Sequence, residues 1–193
     1  MRVFVAGATG AIGRLLVPAL VEAGHEVAGM TRRPDRAAWI ESVGATPVVC
    51  DVYDDALATE VAAFAPQVVV HQLTDLPQNI ALFPLKVRGA NRIRMAGTDA
   101  LITAAKSAGA ERFLAQSVAF TVAAPGRKAV QHIEDATLAY PGVVVRYGYF
   151  YGPGTWYPEG TERTPKVSVA EAASRTVGLL DAKPGVYEVV ETG

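Results

Sequence analysis

Short apolar runs alternate along the chain with longer stretches in which apolar positions recur every three or four residues. The first run, RVFVA at 2–6, is apolar at consecutive positions and stops at a glycine. That is the mark of a strand buried on both faces. Residues 11–23 follow with Leu15, Leu16, Ala19, Leu20 and Ala23 at helical spacing. This predicts a helix that Pro18 makes irregular and Gly24 ends. The alternation then repeats. Strands are predicted at 26–30, 47–50, 67–73, 112–116, 143–147 and 186–190, and helices at 34–43, 54–64, 91–108, 128–139 and 169–180. Strands separated by helices call for a parallel sheet covered on both faces. The predicted fold class is therefore α/β: one doubly wound, Rossmann-type parallel sheet of about seven strands. Residues 1–193 read as a single domain with a reduced substrate-side loop near 152–167. Three stretches break the pattern: 77–89, 121–127 and 152–165. The last holds Pro153, Pro158 and Pro165 with Gly152, Gly154 and Gly160, as a substrate-side loop would.

Composition narrows the picture. The chain has 193 residues, enough to bury a sizeable core, and a net charge of −1. No basic field is available to hold nucleic acid or an acidic membrane surface. The single cysteine, Cys50, excludes an internal disulfide framework and fits a reducing cytoplasm. The N-terminal apolar run is too short for a secretory signal, and no run approaches the ~20 residues of a membrane span. The three histidines do not form a metal set. His25 follows the first helix, His71 lies in a strand, and His132 stands two residues from Glu134 rather than one helical turn from a second ligand.

The chemistry is concentrated at the first strand-to-helix junction. Gly7-Ala8-Thr9-Gly10-Ala11-Ile12-Gly13 has glycines three apart, with a strand before them and a striped helix after. In such a loop the first glycine permits the turn, the second lets a pyrophosphate approach the backbone, and the third lets the helix pack on the strand. The N–H groups of Thr9, Ala11, Ile12 and their neighbours then face the phosphates at the positive end of the helix. At the end of the second strand stand Arg32 and Arg33, where NAD-specific sites carry an acid for the ribose. Two guanidinium groups suit a 2′-phosphate, so the expected cofactor is NADP(H), with NAD(H) the alternative. Asp51, followed by Val52, comes after the third strand. It either accepts a hydrogen bond from the adenine amino group or caps the next helix.

Taken together, AGATGAIGR, VVVHQL, NRIRMAGTDALITAAKSAGAERFLAQS and VVVRYGYFYGPGT resemble the extended and atypical branch of the short-chain dehydrogenase/reductase superfamily, the NAD-dependent epimerase/dehydratase-like proteins. The resemblance spans nearly the whole chain. It implies that Leu73 and Thr74 line the cofactor, that residues 147–150 approach the nicotinamide, and that a homodimer forms through the helices at 91–108 and 128–139.

The departures from the family bear on activity. Members that oxidise or epimerise carry Tyr-x-x-x-Lys after the fifth strand, the tyrosine moving the proton and the lysine tuning it. Lys128 stands at the lysine position here, but Ala124 replaces the tyrosine. The family hydroxyl beyond the fifth strand has no direct counterpart either. Ser117 is followed by Val118 and Ala119. Ser117 is either that hydroxyl displaced by one residue or a group that satisfies the backbone. Tyr147 and Tyr149 are the phenols nearest the expected nicotinamide. They either replace the missing acid or pack the core. The catalytic candidates are thus Ser117, Lys128, Tyr147 and Tyr149. Three functions remain open: an NADP(H)-dependent oxidoreductase acting on a small carbonyl or conjugated substrate, a non-redox NADP(H) sensor, and a cofactor-assisted epimerase, dehydratase or isomerase.

Overall fold

A computed structural model describes residues 1–77 and 79–191. The elements run β1 (Arg2–Ala6), α1 (Gly13–Glu22), β2 (Glu26–Thr31), α2 (Ala37–Ser42), β3 (Thr46–Val49), α3 (Leu57–Phe64), β4 (Val68–His71), α4 (Phe83–Arg92), α5 (Thr98–Ser107), β5 (Arg112–Val118), α6 (Ala124–Ala139), β6 (Gly142–Tyr147), β7 (Tyr149–Tyr151), β8 (Lys166–Ser168), α7 (Val169–Val177) and β9 (Gly185–Val189). Seven strands form one parallel sheet in the order β3-β2-β1-β4-β5-β6-β9. The expected doubly wound α/β fold is what the chain adopts.

Each face of the sheet has its own core. One joins Leu16, Val17 and Leu20 of α1, Ile40 of α2 and Ala172 and Ala173 of α7 to Val3, Val5, Val70 and Val145. The other joins Leu57 and Val61 of α3, Leu101 of α5 and Ile133 of α6 to Phe4, Ala6, Val69 and Phe113. Alternate residues of β1 and β4 feed opposite cores, which is why these strands read as continuous apolar runs. The order reverses between β1 and β4. In a sheet of this kind the crevice at that switch point, beyond the strands' C-terminal ends, is where ligands bind.

Two parts differ from the sequence-based expectation. The helix predicted over 34–43 is a 3₁₀ turn, Pro34–Arg36, leading into α2. The stretch 77–89 holds a 3₁₀ turn, Ile80–Leu82, and most of α4, which continues through a π-turn, Ile93–Gly97, into α5. Pro84 and Gly89 obscured that helix. Pro84 lies in its first turn, where a missing N–H is tolerated. A Cβ on Gly89 would stand 2.2 Å from the Asp75 carboxylate, so glycine serves packing there. The strand expected at 143–147 is β6, and it ends at Tyr147 as expected. Gly148 separates it from β7: a Cβ there would meet Lys166 Cα and Pro165 O, both at 2.7 Å. Tyr147 ends β6, whereas Tyr149 and Tyr151 belong to a separate two-stranded sheet with β8.

Candidate cofactor and active site

The glycine loop lies at the switch point. Gly7 has φ +93°, and a Cβ on it would stand 2.7 Å from Gln72 O and 2.8 Å from Gln72 C, in the chain leaving β4. A Cβ on Gly13 would meet Gly7 O at 2.3 Å and Ala8 O at 2.6 Å. Gly10 differs. It is exposed, and a Cβ there would have Gly7 O at 3.3 Å as its one close neighbour among the described residues. Thus Gly7 and Gly13 are glycines because protein backbone lies against them, whereas Gly10 leaves its surface bare toward solvent. Ile12, the N-cap of α1, makes no capping bond through its side chain, and the first turn holds no acid. Such a helix end carries N–H groups suited to an anion. The cradle fits a nucleotide's pyrophosphate.

On the adenosine side, Thr9 Oγ1 and Thr31 Oγ1 are 3.1 Å apart, tying the loop to the end of β2. Arg32 and Arg33 follow, both exposed. Arg33 forks onto Asp35, with Nε and Nη2 at 3.0 and 2.7 Å from its oxygens. That contact holds the guanidinium above and the Asp35 carboxyl below their usual ranges. Arg32 instead reaches across the crevice to Asp75, Nη2 to Oδ1 at 3.3 Å. One Asp51 oxygen accepts from Tyr53 N at 3.1 Å in a local turn, and its other oxygen has no hydrogen bond among the described residues. Val52 is buried beside Gly97. Arg92 stacks on Tyr53, 4.0 Å from the ring centre, next to this group.

Beyond β4, Leu73 O accepts from Gln116 Nε2 at 2.7 Å, while Thr74 is exposed. His71 is fully buried. Its Nδ1 accepts from Leu73 N–H at 3.2 Å, so the ring proton sits on Nε2, 3.1 Å from Thr98 Oγ1. Burial first, and then the nearby Arg94 charge, push its pKa down to about 3, leaving the ring neutral.

The four catalytic candidates occupy different surroundings. Ser117 is buried and donates to Glu134 Oε1. The same carboxylate takes a forked pair of bonds from Arg146, one of them from Nε at 2.8 Å. Burial alone would raise the Glu134 pKa. The bonds from Arg146 and Ser117 outweigh it and bring it below the usual carboxylate value. Tyr147 is 2% exposed. Its hydroxyl accepts from Gln72 Nε2 at 3.1 Å and lies 2.7 Å from Thr176 Oγ1. Thr176 in turn donates to Ala172 O, so the Tyr147 proton points to Thr176. Burial pushes this phenol up to about 12. Tyr149, partly exposed, stacks flat on Phe120 with centroids 3.9 Å apart, under Arg163 at 5.4 Å. Lys128 is exposed on α6. The structure therefore does not gather Ser117, Lys128, Tyr147 and Tyr149 around one point.

The sequence does not single out Asp75 or Arg94, whereas the 152–165 stretch reads as a substrate-side loop. Trp156 of that loop donates from Nε1 to Pro77 O at 2.7 Å and meets Phe83 edge-on at 5.7 Å, joining the loop to the segment after β4. The three prolines and three glycines there were its one visible signal. A cavity of about 340 Å³ lies farther along the sheet, lined by Val118, Phe120, Val122, Arg127, Val130 and Glu188 among others. It sits beside β5, β6 and β9, away from the β1–β4 crevice.

A switch-point crevice with a bare glycine loop and an uncapped helix end defines a dinucleotide-binding Rossmann protein. The chain belongs to the NAD(P)H-binding family, whose model matches residues 7–145. It is 40% identical over 182 residues to a 3-diazoavenalumate denitrifying reductase of a Streptomyces species, with 81% of this chain and 59% of that protein covered. The chain thus spans about three fifths of that relative's length. Its fold matches an NAD-dependent epimerase/dehydratase-type protein of Bacillus halodurans with a TM-score of 0.81 at 23% identity, covering 100% and 94% of the two chains. It also matches the Thermus thermophilus UDP-glucose 4-epimerase in complex with NAD, with a TM-score of 0.76 at 20% identity over 98% and 78%. NAD(P)(H) is the cofactor class. No helix among the described residues is long and apolar enough to cross a membrane.

Proposed function

We propose that the protein is an NADPH-dependent reductase of small aromatic, conjugated electrophiles whose reduction needs no proton donor at the reacting centre. The observation that carries this reading is a contrast. The cofactor cradle is complete, yet Ser117 and Tyr147 are buried with their hydroxyls engaged, and Ala124 stands where the family places its phenol. Gly7, Gly10 and Gly13, with the N–H groups of Thr9, Ala11 and Ile12, would hold the pyrophosphate. Asp51 and Val52 would meet the adenine, Leu73 and Thr74 the nicotinamide side, and Arg32 a 2′-phosphate. Arg33 supports that charge from behind its bond to Asp35. Ser117 and Tyr147 then serve as structural groups. Tyr149 and Lys128 are the candidates that could still reach a ligand.

The bound cofactor supplies a hydride. A ketone that accepts hydride becomes an alkoxide and needs a proton at once. An arenediazonium does not. Hydride adds at the carbon bearing nitrogen, the C–N bond breaks, and its electron pair leaves with dinitrogen. The Streptomyces relative is named for a denitrifying reduction of a diazo compound, and this chain's lack of a placed acid agrees with that class of step. Trp156, tied to Pro77 and packed on Phe83 beyond β4, would give the substrate side an aromatic wall. Cys50, a free thiol that burial raises to about 11, agrees with a reducing cytoplasm. We extend the family's pairing through α5 and α6 to this chain as a homodimer.

The test is oxidation of NADPH, followed by loss of dihydronicotinamide absorbance, with arenediazonium carboxylates, enones, quinones and simple ketones. Deuterium at C4 of the cofactor should appear on the product arene. The missing acid equally favours a non-redox sensor. Tight NADPH binding with no oxidation by any of these compounds would establish that reading instead.

A further inference from the structure

Five arginines are partly or largely sheltered from solvent: Arg2, Arg36, Arg94, Arg112 and Arg146. Arg2, Arg36 and Arg146 have carboxylate partners in Glu26, Asp35 and Glu134. Arg112 donates to Leu180 O and Ala182 O. The Arg94 guanidinium alone has no hydrogen-bond or ion-pair partner among the described residues. A cation partly withdrawn from water without a counter-ion is disfavoured, and burial lowers the Arg94 pKa accordingly. A sheltered polar group without a protein partner calls for one from outside the chain, and an anionic ligand is one that supplies it.

Its position indicates which ligand. Arg94 lies in the π-turn between α4 and α5, a local widening that recurs at functional sites. One turn later, Thr98 bonds both Arg94 O and the His71 ring, which fixes this part of the helix at the C-terminal end of β4. One turn earlier, Asn91 Oδ1 lies 3.7 Å from where a Cβ on Gly126 would stand, so this helix flank faces the first turn of α6. That turn has no acid and no side-chain cap. At the corner between β4, the π-turn and α6, Arg94 and the uncapped first turn of α6 are positive, and the acid present there, Asp99 in the first turn of α5, is already bound to His132 of α6. Through Thr98 and His71 this corner lies at the C-terminal end of β4, the strand next to β1 in the sheet.

We propose that Arg94 is a binding residue for the carboxylate of the substrate, making this a site for aromatic carboxylic acids. The proposal rests on the reductase reading for its substrate, but its test needs no turnover. The probes are trans-cinnamate and cinnamamide, titrated against protein saturated with NADP⁺. The wild-type protein should bind cinnamate at least tenfold more tightly than the amide. Arg94→Gln should bring that preference to within about twofold of unity, and Arg94→Lys should keep part of it. The NADP⁺ affinity should stay within about twofold in both variants, which also shows that they fold. No preference in the wild type, or one that survives in Arg94→Gln, overturns the proposal. So does a selective loss of NADP⁺ binding, which would give Arg94 to the cofactor. Cinnamate binding without turnover would leave the carboxylate site standing and count against the reductase.

Discussion

Replacing Arg32 with alanine should weaken NADPH binding and leave NADH binding nearly unchanged. A charge-assisted hydrogen bond contributes about 1.5–3 kcal/mol. Arg32 first has to leave Asp75, a pair 3.3 Å apart in which the arginine side chain is 63% exposed. Exposed pairs of this kind contribute about 0.2–1 kcal/mol. The net contribution of Arg32 to a 2′-phosphate is then about 0.5–2.8 kcal/mol, or roughly 2- to 110-fold in affinity. Asp75 competes with the phosphate for the same guanidinium. Asp75→Asn should therefore tighten NADPH by up to about fivefold. Tryptophan fluorescence titrations of both nucleotides measure this directly. The difference between NADPH and NADH should shrink between about 0.1 M and about 1 M salt, as the Debye length falls from about 10 to about 3 Å. Equal weakening of both nucleotides by Arg32→Ala, or weaker NADPH binding by Asp75→Asn, would refute the assignment of Arg32 to the 2′-phosphate.

Three further predictions follow from the same geometry. Gly13→Ala drives a Cβ into two backbone oxygens and should lower both the melting temperature and nucleotide affinity, whereas Gly10→Ala should melt like the wild type yet lose at least tenfold in NADP⁺ affinity. Glu134→Ala leaves Arg146 and Ser117 without their acceptor. It should destabilise the fold by about 3 kcal/mol in chemical denaturation, the low end for a broken buried pair because Arg146 is partly exposed. The Glu134 carboxyl is depressed in the folded state, so its stabilisation is complete above the ordinary carboxylate pKa and drains away as pH falls below it; melting of Glu134→Gln should depend less on pH there. Tyr147→Phe should destabilise by about 1–2 kcal/mol while NADP⁺ affinity stays within twofold, because its hydroxyl serves Gln72 and Thr176 inside the core.

Much of the fold could be read from local pattern. β1, β4 and the first part of β6 are buried on both faces, so they read as apolar runs, and each strand was found within two residues of its ends. α4 was hidden because its determinants are not local. It has few buried positions of its own, and Gly89 answers to a carboxylate fourteen positions earlier in the chain. The end of β6 at Tyr147 was found, but what ends it was hidden for the same reason. What stops β6 is the backbone of Pro165 and Lys166, brought in by a loop with no hydrophobic period.

The cofactor cradle was equally legible, because its requirements are backbone requirements and only glycine satisfies them. Side-chain roles were not. Ser117, Tyr147 and Arg94 each carry a reactive or charged group, and the sequence gives no sign of which is already paired. Ser117 and Tyr147 look like proton donors until Glu134 and Thr176 are seen holding them. Arg94 looks like one more charge on a helix until its lack of a partner sets it apart from four other sheltered arginines. Only five residues connect β5 to α6, so the first turn of α6 follows the strand closely and brings Ala124 and Gly126, not a phenol. On the proposed reading, a chain that keeps the nucleotide cradle, locks its hydroxyls into the core and leaves a guanidinium unpaired orients an anionic substrate against a hydride source. The polarity that drives the transfer must then reside in the substrate, and a leaving group such as dinitrogen supplies it without any acid from the protein.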